Sequence, residues 1–214
     1  VWMLGTAGAI WHYDGSKWSK QQMQGGLSFL GGVAVSSKEA YAVGSGGTVL
    51  VWNGATWNPA PKLVSTPLCA AWAAAPNDIW VVGESGVILR GQGASFSVVP
   101  KPTAANFYAV RGTGPSDVHL LGAELWHWNG ATFTQFPRAT IPSIRSYVNL
   151  RDVVVWSNGT ALAIGDFGPV LRYGQGSWTV QSYGDTRSLS GMAKVGSTDA
   201  WVVGDSQTIL RYSP

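Results

Sequence analysis

The sequence predicts an all-β protein of the β-propeller class. Three observations predict it: an internal repeat of about 40 residues, short apolar runs of strand length, and turn signals between them. The chain has 214 residues, of which 45% are hydrophobic and only 12% charged, with 28 Gly and 12 Trp. Because average globular domains contain about 25% charged residues, this composition is unusual. It favours many short strands and tight turns over long helices.

The repeat is marked by six strand-like segments that each end in glycine. The segments are VWMLG, AYAVG, IWVVG, VHLLG, ALAIG and AWVVG, which end at Gly5, Gly44, Gly83, Gly122, Gly165 and Gly204. The spacings between these glycines are 39, 39, 39, 43 and 39 residues. Helical repeats of similar length would show a 3.6-residue periodicity, so the period indicates a propeller.

Three more strands complete each repeat. A second apolar run, such as TVLVW or TILRY, follows the glycine, and a hairpin signal comes next, such as Asp14-Gly15 or Asn53-Gly54. An aromatic residue then opens another strand, and a strand rich in small residues, such as LSFLGGVAV, ends the unit. We number the small-residue strand first and the glycine-terminated strand second. We expect the first strand to be innermost, where strands crowd around the axis.

Four short strands per period define one propeller blade. The second and third strands occur six times and the first and fourth five times, which gives 22 strands. Six blades with an incomplete first and last blade are favoured, since an unused copy of the apolar central hairpin would be exposed. Five blades with a redundant hairpin, or a fragment completed by missing residues or another copy, are the alternatives. We predict one propeller domain over 1–214, with repeats near 1–27, 28–67, 68–106, 107–148, 149–188 and 189–214.

The central strands carry apolar residues on both faces, so we expect each sheet to be sandwiched between neighbours. One column of the second strand is expected to fill the space between blades. Its members are Trp2, Tyr41, Trp80, His119, Leu162 and Trp201.

Charge and cysteine content exclude several classes. The net charge of +3 comes from few charges of both signs, without the Lys/Arg stripe that binding to nucleic acid requires. Apolar runs such as 79–82 fall far short of the ~20 residues that span a bilayer. Cys69, the one cysteine, excludes an intrachain disulfide and is expected to be a small buried hydrophobe. The start at Val1 suggests a processed or excised piece.

The unit LSGMAKVGSTDAWVVGDSQTILRY, with YDGSKW after the third strand of the first copy, resembles a known repeat group. It looks like the WAVGxxGTILxYDGxxW repeats of secreted and surface propellers of myxobacteria. It is more distantly similar to photosystem II assembly-factor propellers and to the BNR or Asp-box group. The resemblance covers essentially the whole chain and implies a bacterial extracellular or cell-envelope location. It implies few assigned activities, and Asp14 and Gly15 are adjacent where the Asp box separates them by one residue.

Catalysis has no positive support in the sequence. Sialidases of the Asp-box group need converging arginines, whereas the column of Arg90, Arg172 and Arg211 diverges from blade to blade. The recurring aspartates before the second strand, Asp78, Asp117 and Asp199, are expected to bond turn backbone. The histidines His12, His119 and His127 fall in different blades or strands, so no metal site is predicted. No enzyme activity and no cofactor are expected.

Binding is expected where the loops between second and third strands share a face with the connections between blades. The longest connection, 137–147, accounts for the spacing of 43, and insertions in repeat proteins often lie on the binding face. The candidate site residues are Glu84, Arg138, Arg145, Tyr147, Asp166, Phe167, Asp185, Arg187 and Asp205.

The expected function is that of a non-catalytic interaction scaffold that binds a protein or peptide partner on this loop face. The alternative is a glycan-binding lectin, and a sialidase-like glycosidase is a distant third. A propeller lectin repeats its exposed aromatic and polar residues from blade to blade, whereas the recurring aromatics here occupy core positions. Self-association through the incomplete terminal blades is a further expectation.

Overall fold

The computed structural model describes residues 1–21, 26–137, 148–181 and 187–213. The described residues form 22 β-strands and two single-turn 3-10 segments, Ser45–Gly47 and Glu84–Gly86, and contain no α-helix. Accordingly, these residues include no helix that is long and apolar enough to cross a bilayer.

The chain divides into two compact units, residues 1–104 and 105–214, with three sheets in each. We number the sheets 1 to 6 in chain order. Sheet 1 contains β1 (Trp2–Leu4), β2 (Ile10–Tyr13) and β3 (Trp18–Gln21). Sheet 2 contains β4 (Phe29–Ser36), β5 (Glu39–Gly44), β6 (Thr48–Trp52) and β7 (Trp57–Pro59). Sheet 3 contains β8 (Leu68–Ala75), β9 (Asp78–Gly83), β10 (Ile88–Gln92) and β11 (Ser95–Val98).

The second unit has the same organisation. Sheet 4 contains β12 (Phe107–Gly114), β13 (Asp117–Gly122), β14 (Leu125–Trp128) and β15 (Phe133–Phe136). Sheet 5 contains β16 (Leu150–Val155), β17 (Ala161–Gly165), β18 (Val170–Gly174) and β19 (Ser177–Gln181). Sheet 6 contains β20 (Leu189–Val195), β21 (Asp199–Gly204) and β22 (Thr208–Tyr212).

Every sheet is an antiparallel meander in which consecutive strands pair. The four middle sheets have four strands, while sheets 1 and 6 have three, lacking the first and the fourth strand type respectively. These six sheets are the blades of an all-β propeller. The predicted fold class, the six blades and the incomplete terminal blades are therefore confirmed.

The phased glycines have a steric cause. Gly83 is in extended backbone with φ −162°, which any residue can adopt. A Cβ at Gly83, however, would collide with the carbonyl oxygen of Pro67, the residue before the first strand of the same sheet. The N–H of the next residue, Glu84, donates a hydrogen bond to the same Pro67 carbonyl at 3.0 Å. Gly44, Gly122, Gly165 and Gly204 make the same approach in their own sheets.

The first strands need small residues because the backbones of neighbouring first strands lie close together. A Cβ built on Gly31 of β4 would lie 2.5 Å from the carbonyl oxygen of Cys69 on β8 and 2.9 Å from the Cα of Ala70. The first strands of neighbouring sheets in this unit therefore lie backbone against backbone. This explains why their composition is rich in Gly and Ala.

Apolar faces of neighbouring sheets form the core. In the first unit, Tyr41 and Val43 of sheet 2 pack against Ile79 and Val81 of sheet 3. In the second unit, sheet 5 is covered on both faces, by sheet 4 in one cluster and by sheet 6 in another. Packing of this kind requires a neighbour on each side of a sheet.

The terminal sheets depart from the expected burial. Trp201 and Ile209 of sheet 6 are 45% and 67% exposed, and Met3 and Trp11 of sheet 1 are 54% and 37% exposed. The expectation that every copy of the central hairpin buries both faces was therefore wrong for these two sheets. Sheet 1 is the first sheet in chain order and sheet 6 is the last, so each has a neighbour in sequence on one side only. Trp80 of sheet 3, by contrast, is fully buried.

Candidate functional site

Each first strand contains a β-bulge near the edge of the sheet where the loop between the second and third strands lies. In each of the five first strands the pairing register shifts after the first residue, which leaves one bulged residue outside the ladder. A β-bulge re-aims a side chain, and bulges are frequent beside functional sites. The bulged residues are Leu30, Cys69, Tyr108, Arg151 and Ser190.

These five side chains differ in chemistry although the surrounding positions repeat. Leu30 is 53% exposed, and Arg151 and Ser190 are also exposed. Cys69 is half-buried, so the expected fully buried small hydrophobe is instead a bulged residue at the sheet edge. Bulged positions are therefore released from the packing pattern of the repeat.

In the second unit the bulged residues contact the loops predicted to bind. The Arg151 guanidinium lies over the Tyr108 ring, with Cζ 4.7 Å from the ring centroid. Arg151 also makes a two-point ion pair with Asp166, with Nε to Oδ1 at 2.7 Å and Nη2 to Oδ2 at 2.9 Å. Asn149 Nδ2 donates to the same carboxylate at 3.2 Å. Tyr108, Arg151 and Asp166 thus form one ordered polar and aromatic surface.

Asp166 is ionised within this surface. Burial raises the pKa of its carboxyl group, but the hydrogen bonds from Arg151 and Asn149 outweigh burial and hold the pKa below its usual value. At neutral pH the pair is therefore a carboxylate bound to a guanidinium. A carboxylate in this state orients Arg151 and is not set up to act as a proton donor.

Phe167 projects next to this ion pair. It is 56% exposed and has φ +64°, a left-handed conformation that non-glycine residues rarely adopt. Its N–H donates to Ser188 Oγ at 3.3 Å, from the connection that leads into β20. The equivalent turn positions Ala7, Gly46, Ser85 and Ser206 have φ values of +54° to +64°, so this backbone belongs to the repeat. What distinguishes Phe167 is its exposed aromatic side chain. We call Tyr108, Arg151, Asp166 and Phe167 the bulge surface.

The structure brings only some of the predicted site residues together. Asp166 and Phe167 lie in the bulge surface, whereas Glu84 is half-buried in a turn of the first unit. Arg187 and Asp205 are exposed on adjoining backbone, because the Asp205 N–H donates to the carbonyl of Ser188 at 2.9 Å. The remaining candidates, Arg138, Arg145, Tyr147 and Asp185, lie outside the described residues.

Tyr108 and Arg151 were missed because a bulge has no sequence signature of its own. The available signal was variation inside a regular repeat: the residue two places after Ser28, Pro67, Asn106, Asn149 or Ser188 changes class in every copy. A variable position flanked by repeating apolar residues points to a side chain that does not pack.

The recurring aspartates have a different role from the one predicted. Asp78 is the first residue of β9, and both of its carboxylate oxygens bind Arg90 on β10, at 2.6 and 2.8 Å. Asp199 pairs with Arg211 across β21 and β22 through one contact, Nη2 to Oδ2 at 2.7 Å. The predicted turn-backbone role was therefore wrong, because these carboxylates face the third strand. Arg90 and Arg211 are each engaged within their own sheet.

The histidines are not as dispersed as the sequence suggested. His119 on β13 and His127 on β14 are direct cross-strand partners, with ring centroids 4.7 Å apart. Asp117 Oδ1 lies 2.8 Å from His127 Nε2 and 3.5 Å from His119 Nε2. Hydrogen bonds from the two imidazoles hold the pKa of Asp117 well below its usual value, and burial lowers the pKa of His119. Antiparallel pairing of β13 with β14 therefore places the two histidines side by side, although they lie in different strands.

The six antiparallel sheets define the protein as a β-propeller. No protein-family model matches the chain, and no curated protein matches its sequence. The solved structures that it resembles include propellers of 11–14% sequence identity. At such identity, the similarity establishes the fold alone.

Two of these similar structures are of YCF48, a photosystem II assembly factor. "YCF48 bound to D1 peptide" matches with TM-score 0.74 and 12% identity, over 98% of this chain and 73% of the other. YCF48 from Cyanidioschyzon merolae matches with TM-score 0.73 and 14% identity, over 99% and 78%. The WD40 repeats of RRP9 match with TM-score 0.71 and 11% identity, over 90% and 61%. The distant similarity to assembly-factor propellers is thus confirmed for the fold, while no match supports the myxobacterial repeat group.

Proposed function

We propose that this propeller is a non-catalytic scaffold that binds an extended segment of a partner protein across the bulge surface. The observation that supports this proposal most directly is the exposed aromatic side chain of Phe167 beside the Arg151–Asp166 ion pair. A partner segment with an aromatic or aliphatic side chain would pack on Phe167 and Tyr108. Arg151 would contribute a hydrogen-bonding edge in a fixed orientation.

The structural neighbours support this class of function. One is described with a bound peptide and another consists of WD40 repeats. We extend peptide or protein binding to this chain because its bulge surface offers rigid aromatic and Arg side chains, the types that dominate binding energy at interfaces.

Glycan binding is the weaker candidate for this surface. A propeller lectin would present the same residues in every blade, whereas the bulged positions hold Leu30, Cys69, Tyr108, Arg151 and Ser190. Positions that differ from blade to blade do not repeat a sugar-binding site. The bacterial envelope or extracellular location implied by the repeat resemblance remains part of the proposal.

The experiment compares two glycine substitutions at matched backbone. Phe167→Gly removes the exposed ring at a residue with φ +64°, and Gln175→Gly removes a polar side chain at φ +53° in the β18–β19 turn, at the opposite edge of sheet 5. Both substitutions relieve left-handed strain and should stabilise the fold by up to about 1 kcal/mol. Any difference in binding between them then reflects the lost ring.

The binding probe is a peptide selected on the purified chain from a random phage-displayed library. We expect Phe167→Gly to weaken binding of the selected peptide at least about tenfold, and Gln175→Gly to leave it unchanged. Arg151→Met should weaken binding with the fold intact. Peptides that bind all three variants as tightly as the parent chain would overturn this assignment, as would selection from a glycan array in preference to peptides.

A further inference from the structure

Sheet 4 replaces a repeated ion pair with imidazoles. In sheets 3 and 6 the aspartate that opens the second strand binds an arginine on the third strand, as in Asp78–Arg90. Within sheet 3, Trp80 lies opposite this arginine and the guanidinium stacks on its ring at 4.7 Å. In sheet 4 the aspartate is kept as Asp117, but two histidines lie against its carboxylate in place of the arginine.

The histidines occupy the same register positions as the residues they replace. His127 corresponds to Arg90, and His119 corresponds to Trp80, because each pair lies directly opposite across the second and third strands. Sheet 4 thus has two imidazoles, whose nitrogens can ligate a metal ion, where sheet 3 has the guanidinium of Arg90 and the ring of Trp80. The Asp117 carboxylate therefore faces two metal-ligating side chains.

The ligand atoms are close enough to share one ion. Asp117 Oδ1 is 2.8 Å from His127 Nε2 and 3.5 Å from His119 Nε2, and one ligand atom from each of the three residues lies within 4.8 Å of the others. A tetrahedral zinc ion with bond lengths near 2.0–2.1 Å separates its ligands by about 3.3 Å. The two observed distances bracket this value, so small side-chain rotations bring the atoms to ligand spacing.

His119 is buried in the core, with its Nε2 on the side of Asp117. Its side chain is 1% exposed, and its Nδ1 has no hydrogen-bond partner among the described residues. Aromatic rings of the second unit surround it, with Tyr173 at 5.2 Å and Trp178 at 6.0 Å between centroids. Packing among these rings restricts the imidazole, so that Nε2 stays within reach of an ion bound to Asp117.

We propose that Asp117, His119 and His127 form a binding site for a divalent transition-metal ion of the zinc type. Two imidazole nitrogens and one carboxylate oxygen are a donor set that suits Zn²⁺ or Co²⁺ and disfavours Mg²⁺ or Ca²⁺, which take oxygen ligands. The site lies at the edge of sheet 4 opposite the bulged residue Tyr108 and is independent of the peptide-binding proposal.

The surroundings fit this assignment in two respects. Thr113 Oγ1 donates to Asp117 Oδ2 at 2.5 Å, which leaves Oδ1 for the ion and fixes the carboxylate plane. The side chains of Asp117 and His127 are 30% and 21% exposed, so the site opens to solvent on that side. An ion enters from there, and water or a side chain of a partner protein completes its coordination.

The test measures metal uptake by the tag-free full chain with Zn²⁺ in competition with a chromogenic chelator, and with Co²⁺ by its visible absorption. The decisive variant is His127→Arg, which installs the Asp–Arg pair that sheets 3 and 6 already contain and should therefore fold. Its matched control is His12→Arg, the same substitution at the equivalent register in sheet 1, where Trp2 lies opposite. Asp117→Asn tests the carboxylate.

We expect one ion per chain, a rise in Tm with Zn²⁺, and a Co²⁺ spectrum typical of mixed nitrogen and oxygen ligands. His127→Arg and Asp117→Asn should each weaken uptake at least about 100-fold, since each removes a ligand. His12→Arg should match the parent chain. Equal uptake by His127→Arg and the parent chain, loss of uptake in His12→Arg, or no uptake by the parent chain at 10-fold excess of Zn²⁺ over protein would overturn the proposal.

Discussion

Arg90 donates hydrogen bonds to both carboxylate oxygens of Asp78 on the neighbouring strand, and its guanidinium lies over the ring of Trp80. The Asp78 side chain is only 14% exposed, whereas Arg90 is 34% exposed. The ion pair is thus partly withdrawn from water. The related pair in sheet 6 differs, because Arg211 is 60% exposed and a single short contact joins it to Asp199.

The first prediction follows from this difference in burial. A double-mutant cycle of Asp78→Asn and Arg90→Met should give a coupling free energy of about 1 kcal/mol, because screening by water is reduced and the geometry has two contacts. The cycle of Asp199→Asn and Arg211→Met should give a clearly smaller value. Urea denaturation of the single and double variants measures both, and equal couplings would show that burial does not set the strength of these pairs.

The second prediction concerns the phased glycines. Gly83→Ala should destabilise the fold by about 1 to 3 kcal/mol, because the added Cβ meets the Pro67 carbonyl and the neighbouring backbone must shift. Gly114→Ala is the control, since a Cβ there meets no atom within 4 Å. Its effect on the free energy of unfolding should stay within about 0.5 kcal/mol. A mild effect at Gly83 would mean that the repeated glycine serves chain flexibility instead.

The third prediction separates two tryptophans of the same column. Trp80→Ala should cost about 3 to 5 kcal/mol, the range for a fully buried large aromatic side chain. Trp201→Ala should cost less than about 1.5 kcal/mol, since 45% of that residue already contacts water. Chemical denaturation at two protein concentrations checks this. A large, concentration-dependent loss at Trp201 would indicate that another copy covers sheet 6 in solution.

The fourth prediction is a pH dependence confined to one turn. Backbone hydrogen bonds from Lys17 and Ser16 lower the pKa of Asp14 to about 2. A depressed carboxyl pKa means that its contribution to the turn is present above the unfolded value near 4 and is lost as the pH falls through about 2. The amide NMR signals of Ser16 and Lys17 should titrate with this apparent pKa.

The neighbouring repeats supply the control for this titration. Asn53 and Asn129 accept the equivalent two backbone hydrogen bonds through Oδ1, at 2.8–3.0 Å, and carry no titratable group. Their turns should not respond between pH 4 and about 2. Asp14→Asn should make the first turn equally insensitive, and a persistent response in that variant would assign the titration to another group.

Sequence periodicity predicted the blade architecture because each strand carries its own apolar pattern and each turn its own residues. All 22 strands arise from such local signals, from VWMLG to TILRY. Burial at the ends of the repeat array was not predictable in this way, since the exposure of Trp201 depends on whether a neighbouring sheet is present. The same residue type is buried at Trp80 and exposed at Trp201.

The sites were harder to predict because pairing between strands decides them. His119 and His127 are eight residues apart in sequence, and only the two-residue turn between β13 and β14 places them opposite each other. Arg151 and Asp166 likewise come together because of a bulge and a loop conformation, and no sequence pattern predicts either feature. Asp166 and Phe167 were predicted from loop position alone, and Tyr108 and Arg151 only emerge from the register shift.

The bulged residue in each first strand can change without affecting the strand pairing on which the fold depends. A residue outside the ladder contributes little to the sheet, so Leu30, Cys69, Tyr108, Arg151 and Ser190 are five positions where substitution leaves the repeat architecture intact. Each of the five blades that contain a first strand therefore offers one side chain that can vary while the rest of the blade is unchanged. A library randomised at these five codons alone would yield folded propellers whose ligand preferences differ from clone to clone.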